Sequence, residues 1–136
     1  KHKMVHNDSH KFESNFVSLE IPKNNSVMFG SLSGTKLGVW VAHGEGKFEF
    51  PYEEKEYNII AKYNYDGYPA NPNGSPWSVA GVCSKDGRHL AMMPHPERAI
   101  FPWQCGYYPA DRKENDEVTP WIEAFVNARK WIENNK

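Results

Sequence analysis

His95 and Glu97 stand two residues apart in Met92-Met93-Pro94-His95-Pro96-Glu97-Arg98-Ala99, with one proline before the histidine and one after it. A histidine serves as a general base when a carboxylate holds one ring nitrogen, because the carboxylate fixes the tautomer and stabilises the imidazolium while the other nitrogen faces a nucleophile. Residues i and i+2 of an extended backbone project to the same side, so His95 and Glu97 are expected to meet without help from another element. Pro96 fixes its own φ and cannot donate to a sheet, and Pro94 holds Met93 extended, which predicts a stiff arm leaving a strand. The segment supplies no nucleophile of its own. Taken alone, His-Pro-Glu is more simply a loop histidine beside a surface carboxylate, and two further segments change that balance.

The first is Ala42-His43-Gly44-Glu45-Gly46, where an apolar run breaks into glycines. Open α/β sheets place their binding sites at such strand ends, and glycines let a ligand approach the backbone. A plain turn between two strands explains the segment equally well. The second is Tyr68-Pro69-Ala70-Asn71-Pro72-Asn73-Gly74-Ser75, a rigid loop with two asparagine amides whose composition alone favours a solvent-exposed turn.

The elements that must position these segments are mostly strands. Residues 12–21 partly alternate between apolar and polar and end at Pro22. Ser26 precedes a single helical turn over 27–30 as its cap. Residues 37–42 form a short apolar run of the kind expected for a strand buried on both faces. Residues 47–50 and 57–63 read as strands separated by an acidic, exposed loop, and 66–76 as a structured loop. Residues 78–83 and 89–93 flank Ser84-Lys85-Asp86-Gly87-Arg88, a hairpin signal centred on Asp-Gly. Residues 101–119 are irregular and aromatic. Thr119 is expected to cap a closing helix with Pro120 at its first position and Trp121, Ile122, Phe125, Ala128 and Ile132 on its apolar face.

Composition bounds the function classes. The 136 residues are 39% hydrophobic and 14% aromatic, which is globular. A net charge of −1 lacks the basic excess that nucleic-acid binding needs. No apolar run approaches the roughly 20 residues of a membrane span, and no secretory leader is visible. Cys83 and Cys105 form no C-x-x-C pair and read as free thiols in a reducing, cytoplasmic setting. His2, His6 and His10 recur every four residues but lack supporting ligands, and His43-Gly44-Glu45 matches the H-x-E of zinc deaminases without the Pro-Cys-x-x-Cys they require. No metal site is expected. The opening Lys1-His2-Lys3, patterned as a strand within a few residues, looks like the middle of a domain, and a processed or trimmed protein would open in the same way.

Together the segments Val41-Ala42-His43-Gly44-Glu45-Gly46, Tyr68 to Ser75 and Met92 to Arg98 stand in the order seen in the glutaminase domain of the phosphoribosylformylglycinamidine synthase family. Asn7-Asp8-Ser9, Phe12-Glu13-Ser14, Pro120-Trp121 and Asn127-Ala128-Arg129-Lys130 resemble the large, single-chain form. The resemblance implies an α/β fold: the C-terminal, strand-rich part of a flavodoxin-like class I glutamine amidotransferase domain, closed by one C-terminal helix. It also implies a Cys-His-Glu triad in which His95 is the base and Glu97 its orienting acid. His43, Gly44 and Glu45 match the segment lining the glutamine pocket, chiefly through backbone groups. In such a triad a thiolate attacks the glutamine side-chain amide, His95 protonates the departing ammonia and later activates water, and a glutamyl thioester lies between.

The resemblance places the nucleophile in a Gly-x-Cys-x-Gly elbow upstream of the glycine-rich strand end. Gly81-Val82-Cys83-Ser84-Lys85 imitates that elbow but follows His43-Gly44-Glu45-Gly46, carries Lys85 for the second glycine, and runs into a hairpin where an elbow needs a helix. Cys83 is therefore expected to be a strand residue and Cys105 a loop thiol, with the N-terminal, nucleophile-bearing half of the domain absent from residues 1–136. The implied partners are glutamine and the remainder of the same polypeptide, including its synthetase domains. No cofactor is expected in this segment, and ATP and magnesium should bind elsewhere in the parent. A non-catalytic glutaminase-like module that docks on a synthetase and regulates it is the competing reading.

Overall fold

The computed structural model describes residues 3–136; Lys1 and His2, which open the chain and begin the spaced histidines, lie outside the described residues. Seven strands, β1 (Lys3–Val5), β2 (Glu13–Glu20), β3 (Lys36–His43), β4 (Lys47–Glu49), β5 (Asn58–Tyr63), β6 (Val79–Cys83) and β7 (Leu90–Met92), precede a short helix α1 (Ala110–Lys113) and a long one, α2 (Ile122–Asn134). Five strands form a sheet in the order β3-β2-β5-β6-β7, and β1 pairs with β4 beside it. Every pairing is antiparallel.

The sheet curls because the chain leaving β7 crosses to the opposite edge. Met93 N–H still donates to Ala80 O on β6 at 3.3 Å, and two residues later His95 N–H donates to Trp40 O on β3 at 2.8 Å. The alternation of β2 and β3 sends Val17, Leu19, Val39 and Val41 to one side, where they join Ile60 and Ala80 in the core. Helix α2 covers that core through Trp121, which is buried, donates from Nε1 to Gly38 O at 2.9 Å and sets its ring edge-on to Phe29 at 5.9 Å. Asn127 Nδ2 adds hydrogen bonds to Met28 O at 3.0 Å and Ser31 Oγ at 2.7 Å. The fold is thus α/β, a curled strand-rich sheet closed by one C-terminal helix, as the sequence indicates.

The departures are local. The apolar run of β3 belongs to an edge strand with one buried face, because antiparallel pairing to β2 sends Val39 and Val41 inward and leaves Trp40 and Ala42 on the outer face, only partly buried. Buried Trp121 just before α2 and buried Ala124 within it mark its inward side, Ala128 is half-buried, and Phe125 and Ile132 are exposed. Thr119 does not cap the helix, since its hydroxyl donates to Ala99 O at 2.5 Å. Ser26 does cap the turn that follows it, with Phe29 N–H donating to its Oγ at 3.3 Å. The loop at 66–76 turns its asparagines inward: Asn71 and Asn73 are buried.

Candidate active site

His95 is held from two directions. Its backbone is pinned to β3 by the bond to Trp40 O, and Trp40 is itself fixed by an edge-on contact with Phe16 at 5.0 Å and by its Nε1 donating to Gln104 O at 2.7 Å. Pro94 and Pro96 on either side are buried. The chain then does not run on as an extended arm. His95 precedes a 3-10 turn at Pro96–Arg98, closed by Arg98 N–H donating to His95 O at 3.0 Å. The turn, with proline at its first position where no donor is needed, brings Glu97 back under the imidazole. His95 Nδ1 and Glu97 Oε1 lie 2.6 Å apart. The His95 side chain is 29% exposed, so part of the ring is accessible from solvent.

A second group of side chains gathers where β3 ends. Asn7, fully buried, donates from Nδ2 to Lys11 O at 3.0 Å and His43 O at 2.7 Å, and its Oδ1 accepts from Gly46 N–H at 3.0 Å. Two carbonyl acceptors on one side and an N–H donor on the other settle which way the amide points. His43 Nδ1, 3.1 Å from that same Oδ1, must then carry the proton and donate. The loop at 71–75 locks in from below, with Asn73 Nδ2 donating to Gly46 O at 2.7 Å and Asp8 N–H to Asn73 O at 3.1 Å. Gly46 has to be glycine, because a Cβ there would stand 2.6 Å from the His43 ring.

Burial pushes the His43 imidazole below its usual value, and the nearby His95 acts in the same direction; its own backbone bonding and the Glu13 carboxylate pull less strongly upward. A folded pKa below the unfolded 6.5 means that the unfolded chain takes up the proton first on acidification. The stability held by neutral His43 is therefore present above pH 6.5 and lost as pH falls from there through the folded value. Urea unfolding between pH 7.5 and 5.5 should show stability falling at up to about 1.4 kcal/mol per pH unit, the limit for one proton. The slope should flatten in His43→Gln.

The residues that the sequence singles out divide between these two groups. His95 and Glu97 form the open pair, while His43 is buried nearby at the end of β3. Gly44 carbonyl accepts from Asn7 N–H at 2.9 Å, and Glu45 is exposed, 3.6 Å from His6. Neither cysteine stands at a strand-to-helix turn. Cys83 ends β6 and leads through Ser84, whose N–H donates to His89 O at 2.8 Å, into β7. Cys105 follows the 3-10 turn at Pro102–Gln104, and burial pushes its thiol up, away from the reactive thiolate. Both are free thiols.

A family model described as the CobB/CobQ-like glutamine amidotransferase domain matches residues 1–132. The chain belongs to that family. It is 43% identical over 145 residues to a probable phosphoribosylformylglycinamidine synthase, chloroplastic/mitochondrial, of Arabidopsis thaliana, covering 97% of this chain. It is also 43% identical over 138 residues to the phosphoribosylformylglycinamidine synthase of Homo sapiens, covering 93% of this chain. In both cases the match takes up 10% of the relative's length. The structure of PurLQS from Thermotoga maritima superposes with a TM-score of 0.73 at 25% identity, over 97% of this chain and 53% of that one. Among the described residues no helix is long and apolar enough to cross a membrane.

Asn7 and Glu13 are the residues whose place in the site sequence reasoning missed. They lie in Asn7-Asp8-Ser9 and Phe12-Glu13-Ser14, and neither segment carries an intrinsic chemical signature. The signal that could have found Glu13 is its acidic side chain at an inward position of β2, in phase with Val17 and Leu19.

Proposed function

We propose that the chain is the C-terminal, strand-rich part of the glutaminase domain of a phosphoribosylformylglycinamidine synthase in purine biosynthesis. Its parent draws ammonia from glutamine for the ATP-dependent conversion of formylglycinamide ribonucleotide to formylglycinamidine ribonucleotide. The observation that carries this reading is the 2.6 Å contact of His95 Nδ1 with Glu97 Oε1, on a partly exposed side chain whose backbone is pinned to β3. In this reading Nδ1–H donates to Glu97, and Nε2 takes the thiol proton, returns one to departing ammonia and then draws one from water. His43, Gly44 and Glu45 belong to the glutamine pocket wall. ATP and magnesium are assigned to other parts of the polypeptide.

The nucleophile is a cysteine outside residues 1–136. Cys83→Ala and Cys105→Ala in the complete polypeptide should therefore leave glutamine hydrolysis within about threefold of the unsubstituted protein, since neither thiol enters the chemistry. The direct test is ammonia release from glutamine by residues 1–136 alone and by the chain co-expressed with the remainder of its gene. Release only with the remainder supports a triad completed by the upstream cysteine. Release by residues 1–136 alone, or its loss in either cysteine variant, makes one of these thiols the nucleophile. No release by a folded pair turns the chain into a binding module of the synthetase.

A further inference from the structure

Among the described residues the buried side-chain atoms without a hydrogen-bond partner are Ser9 Oγ, Glu13 Oε1 and His43 Nε2. Glu13 and His43 are direct cross-strand partners in the β2/β3 register, 9% and 3% exposed, and both side chains point to the inner face. Such partners have Cβ atoms about 5 Å apart. A buried carboxylate beside an imidazole would ordinarily close a hydrogen bond, and here the tautomer forbids it. Asn7 Oδ1 claims the proton on His43 Nδ1, so Nε2 presents a lone pair, and a lone pair cannot bond to the lone pairs of Glu13 Oε1. Two buried acceptors thus stand at one cross-strand position, and neither has a donor partner. Leaving such groups unmatched in the interior is costly, so the arrangement fits a guest that brings several N–H donors and a positive charge.

The surroundings narrow the guest. The second oxygen of Glu13, Oε2, accepts from the hydroxyl of Tyr68 at 3.4 Å, and Tyr68 is 61% exposed, so the carboxylate spans from the interior to the surface. His95 pairs through its backbone with Trp40, three residues before His43 on β3. A molecule anchored at the Glu13–His43 pair can therefore extend another group toward His95. A free α-ammonium with a side-chain amide a few bonds away has those two ends.

We propose that Glu13 Oε1 and His43 Nε2 receive the α-ammonium group of the amino-acid substrate whose side-chain amide is presented to His95, which makes Glu13 a specificity-determining residue of the site. The proposal rests on the glutaminase reading above. Glu13 contributes the charge, His43 the second acceptor, and Asn7 the tautomer that keeps His43 an acceptor.

The test compares glutamine with 4-carbamoylbutanoate, which has the same amide and carboxylate but no α-ammonium, as substrates of the complete polypeptide. The unsubstituted protein should prefer glutamine by at least about 10²-fold in kcat/KM, as expected for a site whose buried acceptors would otherwise go unpaired. Glu13→Gln should raise KM for glutamine about 10²-fold, with kcat changed by less than about threefold and the weak hydrolysis of 4-carbamoylbutanoate unchanged. Equal hydrolysis of both compounds by the unsubstituted protein overturns the proposal, and needs no variant to fold. An equal loss on both substrates in Glu13→Gln overturns it too, because Glu13 would then act on the chemistry or the fold. So does an unchanged KM for glutamine, including the case in which ammonium chloride competes with glutamine in the unsubstituted protein and not in the variant, which would make the guest the released ammonium. Failure of the underlying reading looks different: His95→Ala would hydrolyse glutamine at the normal rate.

Discussion

Replacing His95 by alanine in the complete polypeptide will lower glutamine hydrolysis about 10³- to 10⁴-fold, the scale seen when the general base of a nucleophilic triad is removed. The synthetase reaction supplied with ammonium salt in place of glutamine should continue within about twofold, because ammonia entering from solution bypasses the step that His95 serves. That split separates a catalytic defect from an unfolded domain. Glu97→Gln should show the same split with a smaller loss of about 10²-fold, because the amide can still accept from Nδ1–H but no longer balances the imidazolium charge. The pair is more solvated than a fully enclosed triad acid, with the Glu97 side chain 55% exposed, which is why the expected loss is the lesser one. Full glutamine hydrolysis by His95→Ala would remove the pair from the mechanism. Loss of both reactions together would assign the His95 side chain a structural role.

The open pair was legible in the sequence because both residues lie within three positions and are bracketed by prolines. The local geometry was not: an extended arm and a 3-10 turn both bring residues 95 and 97 together, and only the pairing of His95 with Trp40, 55 residues earlier, selects the turn. Strand positions followed from alternation, whereas pairing direction did not. The apolar run ending at Ala42 suits a strand covered on both faces, and its place at an antiparallel edge depends on β2 and on the returning chain after β7. The loop at 66–76 shows the reverse limit. Its asparagines look like turn residues by composition, yet Asn73 is buried because its amide satisfies Gly46 O and Tyr63 Oη at once. Tyr63 responds to the same enclosure, with burial holding its hydroxyl well above the usual phenol range. Polarity is a weak guide to exposure wherever a side-chain amide takes over backbone groups that strands and helices leave unpaired.

Asn7→Ala should cost about 3–5 kcal/mol of stability, the largest structural penalty expected near the site. The substitution leaves the N–H of Gly46 and the Nδ1–H of His43 without an acceptor and the carbonyl oxygens of His43 and Lys11 without a donor. Each buried orphan costs about 1–3 kcal/mol, partly relieved by water entering the space that the amide vacates. Against the 5–15 kcal/mol typical of a folded domain this is a large fraction, and a urea midpoint measured at pH 7.5 will report it. Asn7→Asp separates geometry from charge. Its carboxylate still accepts from Gly46 N–H and His43 Nδ1–H, but its second oxygen faces two carbonyls where an amide donated, so stability falls here as well. The added negative charge beside Nδ1 favours protonated His43, opposing the effect of burial, so the loss of stability below pH 6.5 should shrink in Asn7→Asp and persist in the parent sequence. A variant of unchanged midpoint would mean that Asn7 does not hold the end of β3. An Asn7→Asp protein with the same pH slope as the parent would show that the imidazole proton is not governed by this amide, and the acceptor role of His43 Nε2 would lose its physical basis.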